Sequence, residues 1–444
     1  MTDPSATWSA PYPGAPVDAV VEVPGSKSLT NRWLVLAALA DGPSTIRRPL
    51  RSGDSERMIA ALRALGTRID DSSDDVWSVV PPAAFTGGAD IDCGQAGTVI
   101  RFVPPLAALA DGPVRFDGHE TARVRPVGPV LEALRSLGVT VADDDRGTLP
   151  FTVRGRSGTD GGGVGVVGGE IEIDASASSQ FVSALLLSGA RFRDGLTLRH
   201  VGAGVPSRAH LEMTLQVLRE VGVEAGELGD AGWRVEPGPI RAFDRTVEPD
   251  LSSAAPFLAL AAVTRGRVRL AGWPAVSTQP GAHLPELLAR LGVRCELGTD
   301  GLVVHAGDGV MVGADLDLSE VGELTPVIAA LAALAPGPSR IRGVAHLRGH
   351  ETDRLAALST EIIRLGGRAE ETADGLLIEP GRLRGAVVET YHDHRMAMFA
   401  AVMGAALPGV QVRDIGTADK TFPGFAPAWE RAASTRLDRG GADR

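Results

Sequence analysis

The chain is poor in cysteine. Cys93 and Cys295 are its only two, far apart in sequence. This excludes a disulfide scaffold and a cysteine-based zinc site, and fits a reducing cytosol. Long apolar runs are also missing, with no stretch near the ~18 consecutive apolar residues of a membrane-crossing helix. Met1–Pro16 carries no Lys or Arg and no apolar block. It is expected to be neither a secretory signal nor a transit peptide. Aromatics are only 4%, so the core must be built from Ala, Leu, Val and Gly, which suits helices packed tightly on sheets. Positive charge is in deficit, with a net charge of −11. Broad binding to nucleic acid or to an anionic membrane is disfavoured, and any anionic ligand must be held by local basic residues.

What is present is a repeat. At 444 residues the chain exceeds a single core, and its 44% apolar and 22% charged residues are those of a globular protein. An Ala/Leu-rich helix, a Gly turn and a β-branched strand recur in Trp33–Leu50, Pro104–Phe116, Phe181–Leu198, Pro256–Leu270, Pro326–Ile341 and Met396–Val412. The turn glycines, Gly42, Gly112, Gly195, Gly266, Gly337 and Gly409, are spaced by 70, 83, 71, 71 and 72 residues. A second pattern interleaves with it: a helix ending in Leu/Val-Gly or Leu-Gly at Gly66, Gly138, Gly222, Gly292 and Gly366. The chain therefore reads as six βαβαββ units, with Gly161–Gly169 as an insertion in the long spacing. The recurrent glycines of both patterns are expected to be helix C-caps. Six units divide naturally as three per domain. We expect the first domain over 24–247 and the second over 1–23 plus 248–444, with the chain crossing near Pro24 and near Val247.

The chemistry collects at helix starts. First helices open at Ser26-Lys27-Ser28, Gly97-Thr98 with Arg101, Ser178-Ser179-Gln180, Ser252-Ser253, Glu323-Leu324-Thr325 and His394-Arg395. Second helices begin near Arg125-Pro126, Ser207-Arg208, Glu351-Thr352-Asp353-Arg354 and Lys420-Thr421. Unpaired N–H groups and the positive dipole end make such positions anion sites. A Ser or Thr there is ordinarily just an N-cap. Caps do not explain Lys27, Arg32, Arg125, Arg354, Arg395 and Lys420, because cations at a helix N-terminus oppose the dipole unless an anion joins them. If the helices of each domain run parallel towards a cleft, that cleft traps anions, and a bound anion would draw the domains together.

Other motifs carry less. Gly163-x-Gly165-x-x-Gly168 matches a dinucleotide fingerprint but leads into Glu170–Asp174, which alternates like a strand where a helix is required. Pro24-Gly-Ser-Lys-Ser28 lacks the first glycine of a phosphate loop. His392-x-His394 has no third cluster to complete a metal site. Asp143–Asp145 reads as a solvated turn. Glu351 and Arg354, three apart, are expected to share a helix face. Two carboxylates, Glu351 and Glu323, with Lys27 and His394, suffice for proton shuttling without a metal.

These residues fall into motifs that resemble the 5-enolpyruvylshikimate-3-phosphate synthases. They are Pro-Gly-Ser-Lys-Ser-Leu-Thr-Asn-Arg (24–32), Gln-Ala-Gly-Thr-Val-Ile-Arg (95–101), Arg-Val-Arg-Pro (123–126), Ser-Ser-Gln-Phe (178–181), His-Glu-Thr-Asp-Arg (350–354), Tyr-His-Asp-His-Arg-Met-Ala-Met (391–398) and Asp-Lys-Thr-Phe-Pro (419–423). The resemblance implies an α/β fold of two domains, each of three βαβαββ units in an inside-out α/β barrel. It implies transfer of the enolpyruvyl group of phosphoenolpyruvate to the 5-hydroxyl of shikimate 3-phosphate, by addition and then elimination of phosphate. It also implies small-molecule substrates, no cofactor, no metal, no nucleic acid or membrane partner, a cytoplasmic monomer, and glyphosate as an inhibitor at the phosphoenolpyruvate site. Shikimate 3-phosphate would be held by Lys27, Ser28, Arg32, Ser178, Ser179, Gln180, Ser207, Glu323 and His350. Phosphoenolpyruvate would be held by Lys27, Gly97, Arg125, Gln180, Arg354, Arg395 and Lys420. Lys27, Glu323, Glu351 and His394 would be catalytic, with Glu351 moving the methylene proton and Glu323 accepting that of the 5-hydroxyl. Two polyanionic ligands need this many charge-assisted hydrogen bonds.

The chain departs from the family pattern in places. Glu323 stands for a common Asp, His210 for a Tyr, His350 for a Lys, Gln95 for an Asn and Phe102 for a Pro. The sister enzyme that acts on UDP-N-acetylglucosamine would carry Asn at Ser28 and a Cys within Gly118–Val124, and this chain has neither. A non-catalytic binding protein of the same fold would be expected to lack Lys27 or Glu351. An RNA-end-processing relative would need a basic surface, against the charge of −11.

Overall fold

The computed structural model describes residues 7–155, 165–306 and 310–436. By its internal contacts the chain divides into two compact units, Gly25–Val247 and Met1–Pro24 with Glu248–Arg444. Each has its own apolar core. The helices are α1 (Lys27–Leu39), α2 (Gly53–Ala64), α3 (Gly97–Ala107), α4 (Gly128–Ser136), α5 (Gln180–Gly189) and α6 (Ala209–Glu220) in Gly25–Val247. The other unit holds α7 (Leu251–Thr264), α8 (Leu284–Arg290), α9 (Thr325–Leu334), α10 (Arg354–Arg364), α11 (His394–Ala406) and α12 (Phe425–Ser434).

Gly25–Val247 holds three four-stranded sheets of one pattern. In the middle sheet, Asp90–Asp92 pairs parallel with Pro113–Asp117, which pairs antiparallel with Phe151–Arg154, which pairs antiparallel with Thr140–Ala142. The parallel pair requires a crossover, and α3 supplies it. The sheet built on Gly169–Ile173 and Leu196–His200 repeats this order. In the first sheet the parallel strand comes from the far end of the unit: Asp244–Thr246 lies beside Ser44–Arg47. The other unit does the same from its beginning, where Asp18–Val21 joins Arg267–Leu270. A second sheet there is built on Asp315–Asp317 and Ser339–Arg342. In the last sheet Thr7–Ser9 pairs antiparallel with Gln411–Arg413, which runs parallel to Val387–Val388.

The two helices of each repeat differ in burial. α1, α3 and α5 pack on one another in one unit, and α7, α9 and α11 in the other. All eleven residues of α3 are buried, Pro104 and Pro105 included. A helix apolar on every side must sit inside. The second helix of a repeat, such as α2 or α10, keeps a polar face outward.

One local expectation needs correction. The second-pattern glycines end helices as expected, but the first-pattern ones mostly do not. Gly66, Gly138, Gly222, Gly292 and Gly366 each follow a C-cap residue and carry φ of +80° to +97°. Only glycine takes that conformation without strain. Of the first set only Gly195 and Gly409 have positive φ. Close approach explains Gly266, where a Cβ would lie 2.3 Å from the Val17 carbonyl oxygen. The insertion and its fingerprint lie partly outside the described residues; the chain after them forms a strand, Gly169–Ile173.

Candidate active site

The helix starts gather the sequence-named residues into two groups, one in each unit. In Gly25–Val247, Asn31 Nδ2 of α1 donates to Thr98 Oγ1 of α3 at 2.9 Å. Arg32 NH2 reaches Ser183 Oγ of α5 at 3.4 Å, and Arg101 NH1 of α3 donates to Gln180 Oε1 of α5 at 2.9 Å. Each of these residues lies in the first two turns of its helix, so the N-terminal ends of α1, α3 and α5 stand side by side. Ser26 caps α1 through the Leu29 amide, whereas α3 has no side-chain cap. Gln180 N donates to Ser178 Oγ at 3.2 Å, and Ser179 beside it is buried without capping α5. Ser252 and Ser253 do not cap their helix either; Asp250 does, accepting from Ser253 N. Ser207, just before α6, is held at φ +53°, an energetically unfavourable conformation for a serine.

The cations here meet few carboxylates. Lys27 Nζ lies 3.4 Å from Asp54 Oδ2. Arg32 is 1% exposed and, among the described residues, donates to neutral acceptors alone: Thr214 Oγ1 at 2.9 Å, Ser183 Oγ, and the carbonyls of Ser28 and His210, each at 3.0 Å. Burial lowers its pKa to about 9. Arg125 donates to the Gln95 carbonyl at 3.1 Å, and its buried Nε has no acceptor among the described residues. Gly97 is where this group is tightest. A Cβ there would lie 2.8 Å from Arg125 NH2 and 3.0 Å from Arg101 NH1. The α3 N-terminus and two guanidiniums therefore share one point, which suits a phosphate or carboxylate.

In the other unit cations and carboxylates alternate. Arg354 is fully buried. Its Nε donates to Asp393 Oδ2 at 2.8 Å and its NH2 to Glu351 Oε2 at 3.0 Å; NH1 lies 3.7 Å from Glu323 Oε2. Burial works against its charge, but Asp393, Glu351 and Glu323 outweigh burial and raise its pKa. Lys420 Nζ donates to Glu351 Oε1 at 2.7 Å, and Arg395 Nε to Glu323 Oε2 at 3.2 Å. His350 Nδ1 is 3.1 Å from Arg354 NH1. Burial first, then Arg354, lowers its pKa to about 3, so at neutral pH this histidine is uncharged and accepts from the arginine. His394 is buried, its Nδ1 3.7 Å from Asp393 Oδ1. Asp393 also caps α11 by accepting from Arg395 N at 2.8 Å.

The shared helix face expected of Glu351 and Arg354 is not formed. α10 begins at Arg354 with Asp353 as its N-cap, and Glu351 lies outside the helix. They meet because Arg354 turns back to bond Glu351. Arg101, named at its helix start but given no substrate, belongs to these groups, and so do three residues not expected there: Asp54, His346 and Asp393. Asp393 had a readable signal, an Asp directly before a helix start. His346 had none; its Nε2 would lie 2.6 Å from a Cβ on Gly322, next to Glu323. Among the described residues no group of three or more His, Cys, Asp or Glu could hold a metal, and no helix is long and apolar enough to cross a membrane.

Comparison with known proteins agrees over nearly the whole length. The family model of EPSP synthase (3-phosphoshikimate 1-carboxyvinyltransferase) matches residues 11–429. A 3-phosphoshikimate 1-carboxyvinyltransferase of Kocuria rhizophila is 55% identical over 432 residues, 95% of either chain. Two solved structures share the fold. EPSP synthase from Acinetobacter baumannii is 23% identical at a TM-score of 0.79, covering 96% of this chain and 98% of that one. The enolpyruvyl transferase NikO from Streptomyces tendae is 20% identical at 0.72, covering 94% and 95%. With its repeated α/β units, the cations gathered at its helix starts and this extent of identity, the chain belongs to the EPSP synthase (3-phosphoshikimate 1-carboxyvinyltransferase) family.

Proposed function

We infer that this chain transfers the enolpyruvyl group of phosphoenolpyruvate to the 5-hydroxyl of shikimate 3-phosphate, a step towards the aromatic amino acids. The products are 5-enolpyruvylshikimate 3-phosphate and phosphate. In the addition step the 5-hydroxyl oxygen bonds to C2 of phosphoenolpyruvate, its proton goes to a base, and an acid protonates C3. In the elimination step C3 gives that proton back, the C2–O bond breaks, and phosphate leaves with the bonding pair. One group must therefore act at C3 first as acid and then as base.

Glu351 is assigned that role. The observation that carries this reading is its position between Lys420 at 2.7 Å and Arg354 at 3.0 Å, with Glu323 beside the same arginine. Two cations favour the ionised carboxylate after proton delivery, which readies it to recover the proton. Glu323 takes the hydroxyl proton, and His394 and Lys27 complete the catalytic set. Lys27, Gly97, Arg125, Gln180, Arg354, Arg395 and Lys420 bind phosphoenolpyruvate. Lys27, Ser28, Arg32, Ser178, Ser179, Gln180, Ser207, Glu323 and His350 bind shikimate 3-phosphate. The ligands assigned to each substrate include residues of both units. A cytoplasmic monomer acting only on small molecules is part of the same reading. The test is a phosphate-release assay with both substrates and with each alone. Release that needs both is expected, and no release at any concentration of the pair overturns the assignment.

A further inference from the structure

Glu361 is a fully buried carboxylate that the reaction does not use. Its Oε1 accepts from the Tyr391 hydroxyl at 2.6 Å. Its Oε2 accepts from Glu389 N at 3.3 Å and faces Arg364 Nε at 3.0 Å. Burial raises the pKa of Glu361. Burial and then the bond to Glu361 push Tyr391 up to about 12, so the hydroxyl remains a donor at neutral pH.

The segment that Glu361 grips is bent in a way the backbone resists. Tyr391 and His392 carry φ of +54° and +55° in succession. Left-handed conformation is unfavourable for any residue with a Cβ, and persists only where the surroundings over-determine it. The turn closes through Asp393 N, which donates to the Thr390 carbonyl at 2.9 Å. Directly after it, Asp393 bonds Arg354 and caps α11. Arg354 and Glu361 are seven residues apart on α10, two turns, and so lie on one face of that helix. A single helix face thus holds the turn at both ends: Tyr391 through Glu361, Asp393 through Arg354. Beyond the turn come His394 and Arg395.

We propose that Glu361 and Tyr391 are positioning residues for the reaction: they fix the left-handed turn that sets Asp393 against Arg354, and so aim Arg354 and Arg395 at phosphoenolpyruvate. This rests on the proposed enolpyruvyl transfer. Tyr391→Phe removes one hydroxyl and no bulk. It should raise the KM for phosphoenolpyruvate about fivefold or more and move that for shikimate 3-phosphate less than about twofold, since most contacts assigned to the latter lie in Gly25–Val247. Glu361→Gln keeps an oxygen to accept from Tyr391 and should stay near the wild-type KM. Glu361→Leu should behave like Tyr391→Phe or worse. A purely structural role would lower Tm in all three and leave the ratio of the two KM values alone. If Tyr391→Phe does not fold, the Gln and Leu variants of Glu361 make the same comparison. A second readout needs no turnover: the NMR signal of the Arg354 Nε–H, identified by its loss in Arg354→Lys, should shift in Tyr391→Phe. An unchanged KM ratio together with an unchanged Arg354 signal overturns the proposal. Absence of phosphate release from wild type would instead remove the functional reading, leaving the NMR comparison to decide the turn.

Discussion

Arg32 and Arg354 are equally buried, yet their surroundings are opposite. Arg32, in Gly25–Val247, donates to two hydroxyls and two carbonyls, and burial pulls its pKa down. Arg354, in the other unit, touches three carboxylates that more than offset burial. The contrast extends to other arginines, although Lys27 of the first group does meet Asp54. Among the described residues neither Arg32 nor Arg125 pairs with a carboxylate, whereas Arg354, Arg395 and Lys420 all do. A buried cation without a counter-charge gains most from an anionic ligand. A group whose charges already balance gains less from one, but it holds carboxylates where protons can be passed. The first arrangement suits anchoring of a phosphorylated substrate, and the second suits chemistry.

The contrast is broken or sharpened by substitution. The largest effect should come from Arg354→Leu, which leaves buried Asp393 without its guanidinium and takes one of two cations from Glu351 and from Glu323, and should cost about 3–5 kcal/mol of stability along with activity. Arg32→Leu leaves only neutral acceptors behind and should cost about 1–3 kcal/mol. Urea unfolding of the two variants measures the difference, and equal losses would abolish the distinction. Next is Glu351→Gln, expected to lower kcat about 10²-fold or more while largely preserving substrate binding. A near-normal kcat would remove Glu351 from the proton steps. Gly97→Ala comes third. Its Cβ pushes on Arg125 NH2 and Arg101 NH1, so the KM for phosphoenolpyruvate should rise about tenfold. Inhibition by glyphosate, the longer molecule with less room to shift, should weaken further. Steady-state inhibition at fixed shikimate 3-phosphate tests this, and equal glyphosate sensitivity would show that Gly97 does not line the site.

The smallest effect concerns a guanidinium of the first unit that does have a carboxylate. Arg123 bonds Asp117 at 2.9 Å through both Nε and NH2, just ahead of Arg125. Chiefly through that bond, Asp117 is lowered from 3.8 to about 2. A depressed carboxylate pKa adds stability above the unfolded value of 3.8 that is lost as pH falls through about 2. Asp117→Asn should therefore lower Tm by a few degrees at neutral pH, with the gap from wild type closing across that window. A gap independent of pH would mean that the pair contributes packing and not charge.

Much of the fold was legible because it repeats. Glycine spacing exposed the units, and apolar pattern placed the helices. Ser26 caps the helix it precedes. The roles of the two glycine sets are not separable in sequence, because both sets follow a helix. Only the backbone shows that Gly66 and its equivalents turn left-handed while Gly266 is pressed against Val17. Arg101 stands visibly at a helix start, but nothing in sequence shows that it holds Gln180.

By itself the sequence determined which elements form and which residue types stand at their starts, because helix starts, turns and apolar periodicity depend on neighbours a few positions away. Tertiary structure alone decided which charges meet. Lys420 reaches Glu351 across 69 positions, Arg354 reaches Asp393 across 39, and Tyr391 reaches Glu361 across 30. The repeats set those helix starts side by side, and charge pairing acts through distances in space, which spacing along the chain does not encode.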